Sequence, residues 1–245
     1  MAVYHCVLFD LDGTLLDFTA AEHGALMETL EHFDLPATEQ TEQTYRTINE
    51  ALWASLERGE IRQDKLVVRR FEKLQEELGG TQDPVQMNAY YLERLTHRAD
   101  IYPEVENVLR ELAEVATLVV VSNGVEEVQM GRLERAGILP YFDGVFISGK
   151  VGASKPSKKI FDTALRSLGI ENRSKVLMVG DSLRADVVGG TAAGLDTCWC
   201  NFKESPAPEK EKPTYTITNL EQLFEIVMEE EELANVGNPD KRHQV

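Results

Sequence analysis

An apolar, β-branched run at residues 3–9 ends abruptly at the acidic pair Asp10 and Asp12, and strand-like runs closed by polar clusters recur along the chain. Short apolar runs of this kind read as buried strands. They fall at 3–9, 117–121, 144–147, 176–179 and 196–200, with a further edge strand at 215–217. Helical patterns separate the later ones, at 105–115, 126–136, 157–168 and 185–193, and a last helix spans 220–228. Strands alternating with helices require right-handed crossovers, hence a parallel sheet covered on both faces.

One block breaks the alternation. From about Thr19 to Arg98 the texture is helical throughout. Apolar faces recur at Ala25, Leu26 and Leu30, at Ile48, Leu52, Trp53 and Leu56, at Leu66, Val67, Phe71, Leu74 and Leu78, and at Met87, Tyr90, Tyr91 and Leu95. Breakers at Pro36, Gly59, Gly79-Gly80 and Pro84 divide it into about four helices. The block follows the first strand, so it inserts over the sheet edge where open α/β folds bind ligands, beyond the carboxyl ends of the strands. The expected architecture is α/β: a Rossmann-like, three-layer parallel-sheet core from residues 1–17 and 100–230, an inserted helical block at 18–99, and a polar C-terminal tail at 231–245.

A net charge of −17 leaves no basic surplus for phosphate backbones, which argues against nucleic acid as a partner. Some of that acid lies in 229–232, which reads as a solvated helix end rather than a site. No apolar run reaches membrane-spanning length, and the N-terminus lacks a basic segment leading into an apolar one. Three cysteines, Cys6, Cys198 and Cys200, do not make a disulfide framework. Cys198 and Cys200 alternate along a buried strand as small core residues, with no second pair to complete a zinc site. The expected setting is the cytoplasm, with no membrane partner.

Four polar clusters stand at the predicted strand ends: Asp10-Leu11-Asp12-Gly13-Thr14, Ser122-Asn123-Gly124, Lys155-Pro156, and Gly180-Asp181 with Asp186. Strand ends of a parallel sheet share one edge, so these clusters converge. Asp10, Asp12 and Asp181 a few ångströms apart would repel by about 4 kcal/mol per pair at an effective dielectric near 20. A divalent cation, an ammonium or protonation must relieve that. Few, hard oxygen ligands point to Mg²⁺, and Lys155 is the natural ammonium. The ordinary structural reading of Asp10 and Asp12 alone is a turn or helix cap. A calcium loop fails, because Thr14, Leu15 and Ala21 occupy positions that would need other residues. Gly149 to Lys155 echoes a phosphate-binding loop, but Ser154 stands where its second glycine belongs.

As an ordered set the four clusters resemble the motifs of the haloacid dehalogenase superfamily across nearly the whole chain. The first motif, D-x-D-G-T, is Asp10 to Thr14. The second is the strand ending at Ser122, followed by Asn123. The third is Lys155-Pro156, and the fourth runs from Gly180-Asp181 to Asp186. The resemblance implies that Asp10 attacks phosphorus to give an aspartyl-phosphate. It implies that Asp12 protonates the leaving oxygen and then deprotonates water. Asp10, Asp12 (through its main-chain carbonyl) and Asp181 would hold Mg²⁺. Ser122, Asn123 and Lys155 would bind the phosphoryl group, with Asp186 supporting Lys155 or a metal-bound water. Aspartate at position 12 favours phosphoester hydrolysis over dehalogenation, while a phosphomutase would share it.

The insertion at 18–99 then corresponds to the α-helical cap of that superfamily, which closes over the site and presents specificity residues. Residues 49–53 with Gly59-Glu60-Ile61, the run Arg132-Leu133-Glu134-Arg135, Val151-Gly152, residues 177–181 and residues 197–201 are similar to bacterial house-cleaning 5′-nucleotidases. That resemblance implies a small phosphorylated metabolite, a nucleoside monophosphate, as substrate of a monomer or weak homodimer. Phe18, Trp53 and Arg62 are the candidate specificity residues. The spacing of Trp53 with Leu52 and Leu56 also fits a core position, and Arg62, Arg69 and Arg70 read as solvated helix residues. The alternatives are a sugar-phosphate or phosphoglycolate phosphatase, a phosphomutase, and a non-catalytic regulator that binds a phosphorylated ligand.

Overall fold

The computed structural model describes residues 3–206, 209–210 and 212–228. Among the described residues six parallel strands form one sheet: β1 (Cys6–Phe9), β2 (Thr117–Ser122), β3 (Gly144–Ile147), β4 (Val176–Gly180), β5 (Asp196–Cys200) and β6 (Tyr215–Ile217). Their order is β3-β2-β1-β4-β5-β6. The winding direction reverses between β1 and β4, the switch point at which such sheets open a crevice. Phe9 is level with Val120 of β2 and Val179 of β4. Asp10 therefore emerges between the residues that end the two neighbouring strands.

Period-two alternation sends Val7, Phe9, Leu118, Val120, Leu177 and Val179 to one face of the sheet. They pack there against α5 (Val105–Ala113), α6 (Glu126–Arg135) and α10 (Leu223–Val227). Cys6, Leu8, Val119, Val121, Val176 and Met178 go to the other face, against α8 (Lys158–Ser167) and the segment after α9 (Gly189–Ala192). Both faces are covered, which is why these strands read as unbroken apolar runs. Among the described residues, no helix is long and apolar enough to cross a membrane.

Four helices lie between β1 and α5: α1 (Phe18–His32), α2 (Glu39–Glu57), α3 (Gln63–Leu78) and α4 (Pro84–Thr96). Asp17 caps α1 by accepting from Ala20 N at 3.1 Å, and Thr38 and Asp83 cap α2 and α4 in the same way. Their apolar stripes meet around Leu26, Tyr45, Phe71, Leu74 and Tyr91 in a core separate from those on the sheet. A second cluster joins Leu52 and Leu56 of α2 to Leu66 and Val67 of α3. The chain leaves and re-enters the sheet side by side, with Asp17 N donating to Asp100 O at 2.9 Å and Leu16 bridged to Ile101.

Three local expectations need correction. The predicted helix at 185–193 is a π-helical turn, Leu183–Val188, followed by α9. Val187 N reaches Ser182 O, and the wider turn carries Asp186 inward, where Ser182 N holds its carboxylate at 3.0 Å. The helix expected at 220–228 begins as a 3₁₀ turn, Leu220–Gln222, under a capping box of Asn219 and Gln222, before α10. A one-turn helix, α7 (Ser148–Val151), was not anticipated and follows β3 directly. The tail assigned to 231–245 lies outside the described residues.

Candidate active site

Asp10 is 13% exposed, and its Oδ1 stands 2.7 Å from Lys155 Nζ. The same ammonium lies 2.7 Å from Asp186 Oδ1, and both of these side chains are 1% exposed. The lysine backbone is fixed from β2: Asn123 donates through Nδ2 to Lys155 O at 3.0 Å and accepts from Lys155 N at 2.8 Å. Asn123, expected to bind phosphate, thus has its amide turned to the main chain of Lys155. Ser122, 2% exposed at the end of β2, accepts from Gly124 N and Gln129 Nε2 at 3.1 Å each.

Asp181 follows β4, its main-chain carbonyl accepting from the Trp199 indole at 2.9 Å. Its carboxylate lies against Gly13, whose φ is +77°. Any Cβ there would overlap the Asp181 oxygens, so both backbone conformation and space require glycine.

Carboxylate oxygens of Asp10, Asp181 and Asp186 gather within 4.8 Å of one another. Burial pushes Asp10 up to about 7, against the pull of Lys155 and with a further push from Asp186. Asp181 is raised well above the usual carboxylate range by desolvation, then by Asp10 and Asp186. Burial alone would lower the Lys155 ammonium; Asp10 and Asp186 outweigh it and hold the lysine firmly charged. A single ammonium among three carboxylates leaves surplus negative charge, and the oxygen-only donor set suits a hard divalent cation such as Mg²⁺. Asp186 stands beside the expected Asp10 and Asp181 in this group, and the carboxylate of Asp12, expected as a ligand only through its main-chain carbonyl, turns elsewhere.

Asp12 is bound from α6. Its Oδ1 is paired with the Arg132 guanidinium, which is fully buried, and its Oδ2 accepts from Gln129 Nε2 at 2.7 Å. Sequence reasoning assigned neither residue a role. The available signal was a glutamine and an arginine three apart on the side of α6 that also carries Val128 and Leu133.

Asp10, Asp12, Ser122, Gln129, Lys155 and Asp181 line a cavity of about 290 Å³ under the helical block. Phe18 and Trp53 form part of its wall, so Trp53 faces the cavity although its helical spacing also suits a core. Arg70 lines it as well, and here the solvated reading fails. Arg70 is 2% exposed, its guanidinium 4.5 Å from the ring centre of Tyr91, with Nη2 donating to Asn88 at 3.1 Å. Its apolar neighbours on α3 draw the stem inward, and Asn88 with the aromatic face satisfies the charge. Arg62 is not brought to this cavity. It is 77% exposed, pairs with Asp64 at 2.6 Å, and borders a wider cleft of about 820 Å³ that contains none of Asp10, Asp12, Lys155 or Asp181.

Residues 4–194 match the haloacid dehalogenase-like hydrolase family. The chain is 36% identical to the HAD-hydrolase YfnB of Bacillus subtilis over 93% of its own length and 97% of that protein's. A crystal structure of YfnB bound to magnesium superposes with a TM-score of 0.85, covering 91% of this chain and 98% of that one. The pyrimidine 5′-nucleotidase YjjG of Escherichia coli is 35% identical over 90% of this chain and 96% of its own. The pyrimidine 5′-nucleotidase PynA of Streptococcus pneumoniae is 34% identical, covering 91% and 95%.

Proposed function

We propose, from the premise that this chain belongs to the haloacid dehalogenase-like hydrolases, that it is a phosphatase acting through an aspartyl-phosphate on Asp10, with a pyrimidine nucleoside 5′-monophosphate as substrate. The observation that carries the chemistry is the Lys155 ammonium held 2.7 Å from the Asp10 carboxylate, at the point where the strand ends converge. Lys155 offsets part of the cost of burying the Asp10 carboxylate and so favours the ionised form that attacks. An oxygen of Asp10 forms a bond to phosphorus as the ester P–O bond breaks, and Asp12 gives a proton to the departing oxygen. Asp12 then takes a proton from water, which displaces phosphate from Asp10. Ser122 accepts two hydrogen bonds already, so its hydroxyl hydrogen is the part it can offer to a phosphoryl oxygen.

Asp10 and Asp181, with the main-chain carbonyl of Asp12 and with Asp186 nearby, would hold Mg²⁺, which supplies charge neutralisation of the phosphoryl oxygens. The magnesium-bound structure of YfnB supports this assignment. Phosphate monoesters react very slowly unaided, so in-line positioning and charge neutralisation carry most of the acceleration.

The nucleotide assignment rests on the names of YjjG and PynA, together with the Phe18 and Trp53 rings beside the cavity, which offer flat apolar surfaces to a base. A phosphate-release screen over nucleoside monophosphates, sugar phosphates and phosphoglycolate, with Mg²⁺ or with chelator, tests it. The expected result is fastest release from pyrimidine or deoxyribonucleoside monophosphates, with Asp10→Asn inactive. Preference for a hexose phosphate or phosphoglycolate would overturn the substrate and leave the mechanism. Net isomerisation of a sugar phosphate would replace hydrolysis by a mutase. Binding without turnover in the wild type would make the protein a regulator.

A further inference from the structure

The Arg132 guanidinium lies on the buried face of α6, beside Val128, Gln129 and Leu133, and is 0% exposed. Nη1 pairs with Asp12 Oδ1, and Nε donates to the main-chain oxygen of Arg98 at 2.9 Å. Gln129 takes the other carboxylate oxygen of Asp12 at 2.7 Å and donates to Ser122 Oγ at 3.1 Å. Its own Oε1 accepts from Arg132 Nη1 at 3.3 Å. Gly124 makes room for this arrangement, since a Cβ there would run into the Gln129 amide. Both oxygens of one carboxylate are thus gripped by two side chains one helical turn apart on a rigid element.

We propose that Arg132 and Gln129 are positioning residues that aim the Asp12 carboxylate for proton transfer, with Arg132 tying it to the segment that leads out of the helical block towards α5. The inference rests on Asp12 being the acid and base of the reaction proposed above. A carboxylate with free torsions samples many directions. One held at one oxygen by a guanidinium nitrogen, itself anchored through Nε, and at the other by an amide is confined to a narrow arc, and efficient proton transfer requires that confinement. Arg98 lies two residues beyond the end of α4. Its carbonyl therefore links the carboxylate to the place where any movement of the helical block must pivot. Lysine at position 132 would have to serve Asp12 and Arg98 O from one nitrogen on a flexible stem, without the fixed planar separation of Nη1 and Nε that sets both contacts here.

The test compares kcat/KM on two esters, because this quantity reports the steps up to departure of the leaving group. An alkyl leaving oxygen, as in a nucleoside monophosphate, needs the proton from Asp12; the stabilised nitrophenolate of p-nitrophenyl phosphate does not. In Arg132→Lys, and in Gln129→Met as a second variant that keeps side-chain length, kcat/KM should fall about 100-fold on the alkyl ester. On the aryl ester it should fall less than about tenfold. In an Asp12→Asn background neither substitution should lower the rate on the alkyl ester further, since the group they aim is gone. Equal losses on both esters, losses that multiply with Asp12→Asn, or no loss at all would overturn the proposal. If Arg132→Lys fails to fold, Gln129→Met decides by the same criteria. The alkyl ester is whichever one the wild type hydrolyses fastest, so a wrong substrate assignment shows in the wild type and a wrong positioning role only in the ratios.

Discussion

Lys155 Nζ lies 2.7 Å from Asp10 Oδ1, inside a site where the lysine is 1% exposed. The charge was taken out of water at a cost that only its partners, Asp10 and Asp186, offset. Lys155→Met leaves those two carboxylates facing each other without a counter-charge. The expected loss of stability is about 3 kcal/mol in denaturant titration. Phosphate release should fall by about a thousandfold or more, because a preorganised positive charge at the reacting group is missing. A variant of wild-type stability and activity would contradict the geometry.

The surplus negative charge at the strand ends makes the protein's stability depend on a cation. Saturating Mg²⁺, at about 100 times its dissociation constant, should stabilise the fold by about 2.7 kcal/mol, reversibly with chelator. Asp181→Asn removes one carboxylate from the crowd. Without metal it should be about 1 kcal/mol more stable than the wild type, and it should lose most of the response to Mg²⁺. Thermal unfolding with and without chelator reads both effects. A wild-type midpoint indifferent to Mg²⁺ would remove the case for a metal site here.

Glu22 carries a cost of its own within the helical block. It is 7% exposed on α1, accepts from Asn49 Nδ2 at 2.7 Å, and is pushed up from its ordinary 4.5 to about 7 by burial, despite Arg70 and Arg46. Below pH about 4.5 the group is protonated in both folded and unfolded chains and costs nothing. Between about 4.5 and 7 the unfolded chain releases the proton while the folded one keeps it, so stability falls; above that window the cost is complete. Glu22→Gln should therefore match the wild type at acid pH and exceed it by about 3 kcal/mol at pH 8. A constant difference across the range would refute the assignment.

The three thiols should be silent in the native protein. Cys6, Cys198 and Cys200 are all buried, and burial pushes Cys6 and Cys198 up to about 12 and Cys200 well above its usual range. Thiolate is the reactive form. A thiol reagent at pH 8 should label none of them over minutes and all three in denaturant. Rapid labelling of the folded chain would mean that strand β1 or β5 opens far more readily than its packing indicates.

The sheet was legible because a buried parallel strand must be apolar on both faces, so residues 117–121 or 176–179 have few other readings. Polar residues at the ends of such strands then share an edge by topology alone, which is how Asp10, Ser122 and Asp181 could be grouped before any coordinate was known. Helical period likewise marked the apolar stripes of α1 to α4. Period tells which side of an element is buried, and it is silent on what that side meets. Arg70 looked like a solvated charge, and Arg132 drew no role, because their partners stand elsewhere in sequence: Asn88 on the next helix, and Asp12, 120 positions away. The π-turn that swings Asp186 inward was invisible for the same reason, since the side chain it turns in meets a lysine on another loop.

The sequence by itself therefore determined the order of elements, the two-sided sheet and the residues stationed at its carboxyl edge, all of which follow from local pattern and parallel connectivity. Only the tertiary structure decided that Asp12 faces α6, that Trp53 borders the cavity while Arg62 stays outside it, and that Arg70 is interior. Those outcomes depend on how separate helices settle against one another. A buried charge finds its counterpart in space, and chain order carries no record of that distance.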